Sequence, residues 1–127
     1  MLRDVETLIR PRRIAVVGAS SRNQSQGNIV IDNLTARGYA GEILPVHPTA
    51  GAIDGLPAIS SIADLPPGVD LAIASVPAGA AADTAAALDA AGVASAIFFA
   101  AGFTAEETGA FRNLSNELRM NLHGPNC

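Results

Sequence analysis

Three short aliphatic runs, each closed by a glycine or a proline, constrain this chain more than any other feature. They are Arg13-Ile14-Ala15-Val16-Val17-Gly18, Asp70-Leu71-Ala72-Ile73-Ala74-Ser75-Val76 before Pro77, and Ser95-Ala96-Ile97-Phe98-Phe99-Ala100-Ala101 before Gly102. Each is apolar throughout its middle rather than alternating. That pattern belongs to strands covered on both faces, as in a parallel sheet. Glu42-Ile43-Leu44-Pro45-Val46 is a shorter strand candidate, and Pro45, which has no N–H to give a ladder, assigns it to an edge or a strand end. Met120 to His123 is a last short candidate.

Helical segments separate these runs. Asn28 to Arg37 carries Ile29, Val30, Ile31 and Leu34 and stops at Gly38. Ala78 to Ala91 is alanine-rich, stops at Gly92 and has Asp83 and Asp89 as its polar face. Thr104 to Arg119 opens with Thr104-Ala105-Glu106-Glu107, a capping box that also sets acids at the positive end of the helix dipole. One helical turn is expected within Ile59 to Leu65, and a further helix within Asp4 to Ile9 before Pro11. Strand–helix–strand alternation with short connections predicts a Rossmann-like, doubly wound parallel α/β sheet forming a single domain over residues 1–127. With 49% hydrophobic but 4% aromatic residues, the core must be filled by aliphatic side chains and alanine.

Charge narrows the function. All eight basic residues are arginines, against twelve acids, for a net charge of −4. No basic stripe exists for a phosphate backbone, so nucleic acid is not an expected partner. The one cysteine, Cys127, allows neither an intrachain disulfide nor a cysteine cage for a metal. The apolar runs are too short to span a bilayer, and Arg3 and Asp4 interrupt any signal-peptide core, so a cytoplasmic domain with no membrane partner is expected.

In a doubly wound sheet, ligands bind beyond the carboxyl ends of the strands. After the first strand comes Gly18-Ala19-Ser20-Ser21-Arg22-Asn23-Gln24-Ser25-Gln26-Gly27-Asn28. Small residues let backbone approach a ligand closely, and the following helix turns unpaired N–H groups toward an anion. Ser20, Ser25 and Asn28 add side-chain donors and Arg22 a positive charge, which together suit a phosphate-bearing ligand. The plainer alternative is a polar surface loop in which Ser25 only caps the next helix. A dinucleotide would need G-x-G-x-x-G and an acid at the tip of the second strand. Here the glycine after Gly18 is Gly27, and the second tip reads Pro45-Val46-His47-Pro48 without an acid. An NAD(P)-binding oxidoreductase domain is therefore disfavoured.

Several short motifs then occur in order: Leu8-Ile9-Arg10-Pro11-Arg12-Arg13 leading into Ile14 to Arg22, Gly27-Asn28, Gly41 to Pro48, Gly55-Leu56-Pro57, Ser61 to Pro66, Val69 to Ala78, Ala101-Gly102-Phe103, and Gly124-Pro125-Asn126-Cys127. In this order the chain resembles, over nearly its whole length, the CoA-binding domain of NDP-forming acyl-CoA synthetases, the group related to the succinyl-CoA synthetase α subunit. The resemblance implies that the first loop, here Asn23, Gln24, Ser25, Gln26 and Gly27, wraps the phosphates of coenzyme A at the helix start, with Gly18, Ala19, Ser20, Arg22 and Asn28 as further binding candidates of the same stretch. It implies that Val46, His47 and Pro48, together with Ser75, Val76 and Pro77, line the nucleotide and pantetheine path, and that Ala101, Gly102 and Phe103 approach the pantetheine arm.

It also implies a ligase whose phosphorylated histidine and ATP-grasp region lie in other domains. ATP, ADP and Mg²⁺ would then act only through a downstream domain or subunit, and this segment would hold no catalytic residue and no metal ligand. The segment would be the N-terminal domain of a longer protein, its motif being cut at Cys127. A regulatory CoA or acyl-CoA module, for example of a protein acetyltransferase, is the alternative. Many relatives carry lysine after the proline of the second strand tip, where this chain has Thr49. That leaves Arg22 to supply charge. His47 reads as a strand-tip residue near the ligand, His123 as a packing or surface residue, and Cys127 as an ordinary thiol with no base beside it.

Overall fold

The structure is a computed structural model and describes residues 10–21, 25–99 and 104–124. The helix expected within Asp4–Ile9 lies outside them. Five parallel strands form the main sheet: β1 (Arg13–Val17), β2 (Glu42–Val46), β5 (Leu71–Ser75), β6 (Ser95–Phe99) and β7 (Asn121–His123), in the order β2-β1-β5-β6-β7. A small antiparallel hairpin of β3 (Ala52–Ile53) and β4 (Leu56–Pro57) follows β2. The helices are α1 (Gln26–Ala36), α2 (Ala78–Ala90) and α3 (Ala105–Ser115), with a 3₁₀ turn at Ile62–Asp64. The three expected helices of the described residues are thus present, each ending one to four residues before its expected carboxyl bound, and the predicted strands stand within one or two residues of their expected bounds.

Side-chain alternation assigns each strand residue to a face. Ile14, Val16 and Leu71 join Ile31 of α1 and Ile53 of the hairpin in one apolar cluster. Ala15, Ala72, Ala74, Ala96 and Phe98 join Ala81, Ala85 and Leu88 of α2 and Phe111 of α3 in the other. Both faces are covered, which is why the sequence runs are continuous. On the α2 side small residues meet small residues: Ala81 and Ala85 are fully buried against a floor of alanines. Bulk comes from Phe98 and Phe111, whose rings meet edge to face at 5.1 Å. On α1 the inward anchor is Ile31, whereas Ile29, read from sequence as part of the same stripe, is 43% exposed.

Pro45 occupies the edge strand, as its missing N–H requires. Its carbonyl faces away from β1 and accepts from Ile59 N (2.8 Å), while His47 N donates to Ile59 O (2.9 Å). Backbone N and O of one residue point to the same side of a strand, so the proline costs the β1–β2 ladder nothing. Asp89, expected on the polar face of α2, accepts from the N–H groups of Arg119 (3.0 Å) and Met120 (2.9 Å) and closes the turn into β7.

At the amino end of the sheet, Tyr39 donates its hydroxyl to Pro11 O (2.8 Å). Burial, and then the negative charge of Asp70, push the phenol above its ordinary value. A raised phenol favours the neutral form in the folded state. Its contribution is therefore complete below the ordinary tyrosine value and fades as pH rises through the folded value. Tyr39→Phe should cost about 1 kcal/mol at pH 7, and that difference should shrink above about pH 10. Urea midpoints of the two proteins at pH 7, 9 and 11 check this; a gap that widened with pH would contradict it.

Candidate functional site

Setting the hairpin aside, the main-sheet strands follow the order 2-1-3-4-5, and the chain reverses direction across the sheet between β1 and β5. Ligands of such sheets sit at that switch point, beyond the carboxyl ends. The two strand ends are pressed together there. Gly18, at the tip of β1, has φ +104°, and a Cβ on it would lie 2.0 Å from Ser75 O at the tip of β5. The start of α1 closes on the same loop: a Cβ on Gly27 would lie 2.7 Å from Ala19 N and 2.9 Å from Gly18 C. Backbone rather than side chain therefore forms the floor of the crevice.

Asn28 ties this loop together. It is 2% exposed, and its Oδ1 accepts from Ser20 N (2.8 Å) and Ser25 N (3.1 Å) while its Nδ2 donates to Ser20 O (3.0 Å) and Asp54 Oδ2 (3.0 Å). The single hydroxyl hydrogen of Ser25 faces both Gly18 O (2.9 Å) and Asn28 Oδ1 (2.5 Å). Ser25 is also the N-cap of α1 in a capping box with Asn28. The side-chain donors that the sequence offers at Ser25 and Asn28 are engaged in these bonds. Their polar atoms are consumed inside the loop, and what they shape is its backbone. An α-helix has no internal partner for its first N–H groups, here those of Gln26 and Gly27, which follow the cap directly.

Ser20, Ser75, Val76 and His47 are half-buried around the crevice, Pro48 and Pro77 are exposed, and Ala19 and Val46 are buried beneath it. His47 turns Nδ1 onto the N–H groups of Thr49 (3.2 Å) and Ala50 (2.9 Å). Nδ1 therefore acts as acceptor, and in the neutral ring the hydrogen sits on Nε2. Arg22, Asn23, Gln24, Ala101, Gly102 and Phe103 lie outside the described residues, as does Cys127. His123 is exposed at the end of β7.

Sequence reasoning missed the hairpin and with it Asp54. The available signal was Asp54-Gly55, since two-residue hairpin turns of type I′ need positive φ at both central residues. Here those angles are 50° and 81°. A cavity of about 1020 Å³ opens at the opposite, amino-terminal end of the sheet, between Pro11, Arg12, Arg13, Tyr39 and Glu42. Its charged walls are already paired, Arg12 with Asp70 (3.3 Å) and Arg13 with Glu42 (3.0 Å), so volume does not mark the ligand site.

A family model described as a CoA binding domain matches residues 12–127. The chain is 33% identical to acetate–CoA ligase (ADP-forming) II of Archaeoglobus fulgidus over 129 residues, covering 97% of this chain and 19% of that protein. It is also 33% identical to a trans-feruloyl-CoA synthase from an unknown prokaryotic organism, covering 97% of this chain and 18% of the relative. Among solved structures, acetyl-coenzyme A synthetase 1 of Ca. Korarchaeum cryptofilum, in complex with phosphate and ADP, superimposes with a TM-score of 0.90. Identity there is 32%, over 98% of this chain and 28% of that one. The chain thus spans about a fifth of the length of these curated relatives. From the matched residues, the shared fold and the order of motifs, the chain belongs to the CoA-binding domain family and is homologous to the N-terminal domain of NDP-forming acyl-CoA synthetases.

Proposed function

We propose that this chain binds coenzyme A at the crevice between β1 and β5, as one domain of a longer acid–thiol ligase. The observation that carries the reading is the close backbone packing at Gly18 and Gly27, which brings the tips of β1 and β5 and the start of α1 together at the switch point of the sheet, where ligands of this fold bind. The residues fit the group. The first N–H groups of α1 meet the phosphates, and the half-buried tips of β2 and β5 flank the route for the pantetheine chain. Bound coenzyme A would supply the thiol that accepts the acyl group, while this chain binds and orients it. ATP, ADP and Mg²⁺ belong to other domains or a partner subunit, and the working compartment is the cytoplasm. Among the described residues no helix is long and apolar enough to cross a membrane.

Charge sets the expected affinity. Every described arginine stands away from the crevice: Arg10, Arg12 and Arg13 lead into or begin β1, Arg37 follows α1, Arg112 is in the last turn of α3, and Arg119 precedes β7. Arg22 is the cation that the sequence sets within the loop. Calorimetric titration of the 127-residue chain should give binding of coenzyme A, weaker binding of dephospho-CoA and none of NAD. Arg22→Ala should remove most of the difference between the first two ligands, because that difference is one phosphate. Binding of NAD alone would overturn the reading.

A further inference from the structure

Asp54 sits on the Asp-Gly turn between β3 and β4, exposed to solvent, and is the non-glycine residue with positive φ among those described. The turn accounts for its backbone but not for its contact. Its Oδ2 reaches across twenty-six positions to Asn28 Nδ2 at 3.0 Å. An asparagine amide can sit either way round, and its partners decide which. With Nδ2 facing the carboxylate, Oδ1 faces Ser20 N and Ser25 N, the two bonds that give the loop its shape. Turned over, Nδ2 would face those two donors and Oδ1 the carboxylate, which is repulsive at each contact. An acceptor at position 54 therefore reinforces the orientation of Asn28 that Ser20 and Ser25 also favour.

We propose that Asp54 is a positioning residue: through Asn28 it helps to hold the backbone at Ser20 and Ser25, without touching the ligand. The part of this that concerns affinity rests on the reading of the loop as the coenzyme A phosphate site. The inference also gives a role to the hairpin of two-residue strands beside the start of α1. It carries the acceptor. The negative charge is not what the mechanism needs, since any acceptor with the same reach and a tolerance for positive φ serves. Asparagine meets both conditions.

The test uses two variants of the 127-residue chain and two measurements. Asp54→Gly removes the acceptor while suiting φ 50° without strain. Asp54→Asn keeps an acceptor and removes the charge. Amide exchange at Ser20 and Ser25 should quicken about tenfold in Asp54→Gly and stay within about threefold of the parent in Asp54→Asn, with Val16 and Ala72 in the central strands as unchanged references. Coenzyme A affinity should follow the same split, falling about tenfold in the glycine variant alone. Unchanged exchange at both serines in Asp54→Gly overturns the proposal, and so does equal quickening in both variants, which would make charge the operative feature. If the exchange pattern holds but the parent chain binds no coenzyme A, the positioning role stands and the ligand reading fails.

Discussion

Gly18→Ala should be the most damaging single substitution at the crevice, removing a large part of the folding stability and all measurable binding of coenzyme A. Two independent terms act at this position. The backbone has φ +104°, a conformation that costs a residue with a Cβ about 1–3 kcal/mol. The added methyl would also stand 2.0 Å from Ser75 O and 3.0 Å from Ser75 C. Both are main-chain atoms of a central strand tip, so no rotamer relieves the overlap, and forced backbone shifts of this kind cost about 1–3 kcal/mol more. The total of about 2–6 kcal/mol compares with about 5–15 kcal/mol for a whole domain. Gly79→Ala is the matched control. That site lies in the first turns of α2 with nothing within 4 Å of the added Cβ, and alanine there should stabilise by about 0.5–1 kcal/mol. Urea unfolding of the parent and both variants checks the pair. A Gly18→Ala midpoint equal to that of the parent would mean that β1 and β5 are not in contact as described.

How far this site could be read beforehand depended on which forces are local. Strand and helix positions were legible because periodicity and stop residues are local: β2 runs over Glu42–Val46 as its short run implies, and Thr104 and Glu107 form the expected box, with bonds of 2.9 and 3.0 Å. The strand order was not legible, because parallel pairing joins segments far apart and leaves no mark in either. The hairpin was missed because two-residue strands have no period to detect. Gly18 and Gly27 were read as loop glycines near a ligand, but the partners that demand them, Ser75 O and the backbone of Gly18 and Ala19, are tertiary. Asn28 shows the same limit from the other side. Its residue type suggested a donor to ligand, and only its burial reveals that its hydrogen bonds are spent on Ser20, Ser25 and Asp54. Residue identity gives capacity, and burial decides how it is used.

Gly27→Ala should separate binding from stability. Local propensity alone favours the change, since alanine is better than glycine inside a helix by about 1 kcal/mol. Against this, the new Cβ would meet Ala19 N at 2.7 Å, Ala19 Cα at 2.9 Å and Gly18 C at 2.9 Å. These atoms belong to the loop backbone and cannot rotate away, so α1 must retreat from the loop. Overpacking costs about 1–3 kcal/mol, and after the propensity gain a net loss of about 0–2 kcal/mol remains. The retreat acts on the N–H groups that would receive the phosphates, and on Asn28, the next residue, whose bond to Ser20 N is 2.8 Å long. Ligand hydrogen bonds weaken steeply with misalignment, so coenzyme A affinity should fall at least about tenfold, or about 1.4 kcal/mol in binding. Thermal unfolding and calorimetric titration on the same preparation give both numbers. Parent-like affinity in a folded Gly27→Ala protein would move the phosphate site away from the start of α1. A loss of affinity with a nearly unchanged transition would show that the close packing of α1 on the loop, which glycine permits, serves the binding geometry more than the stability of the helix.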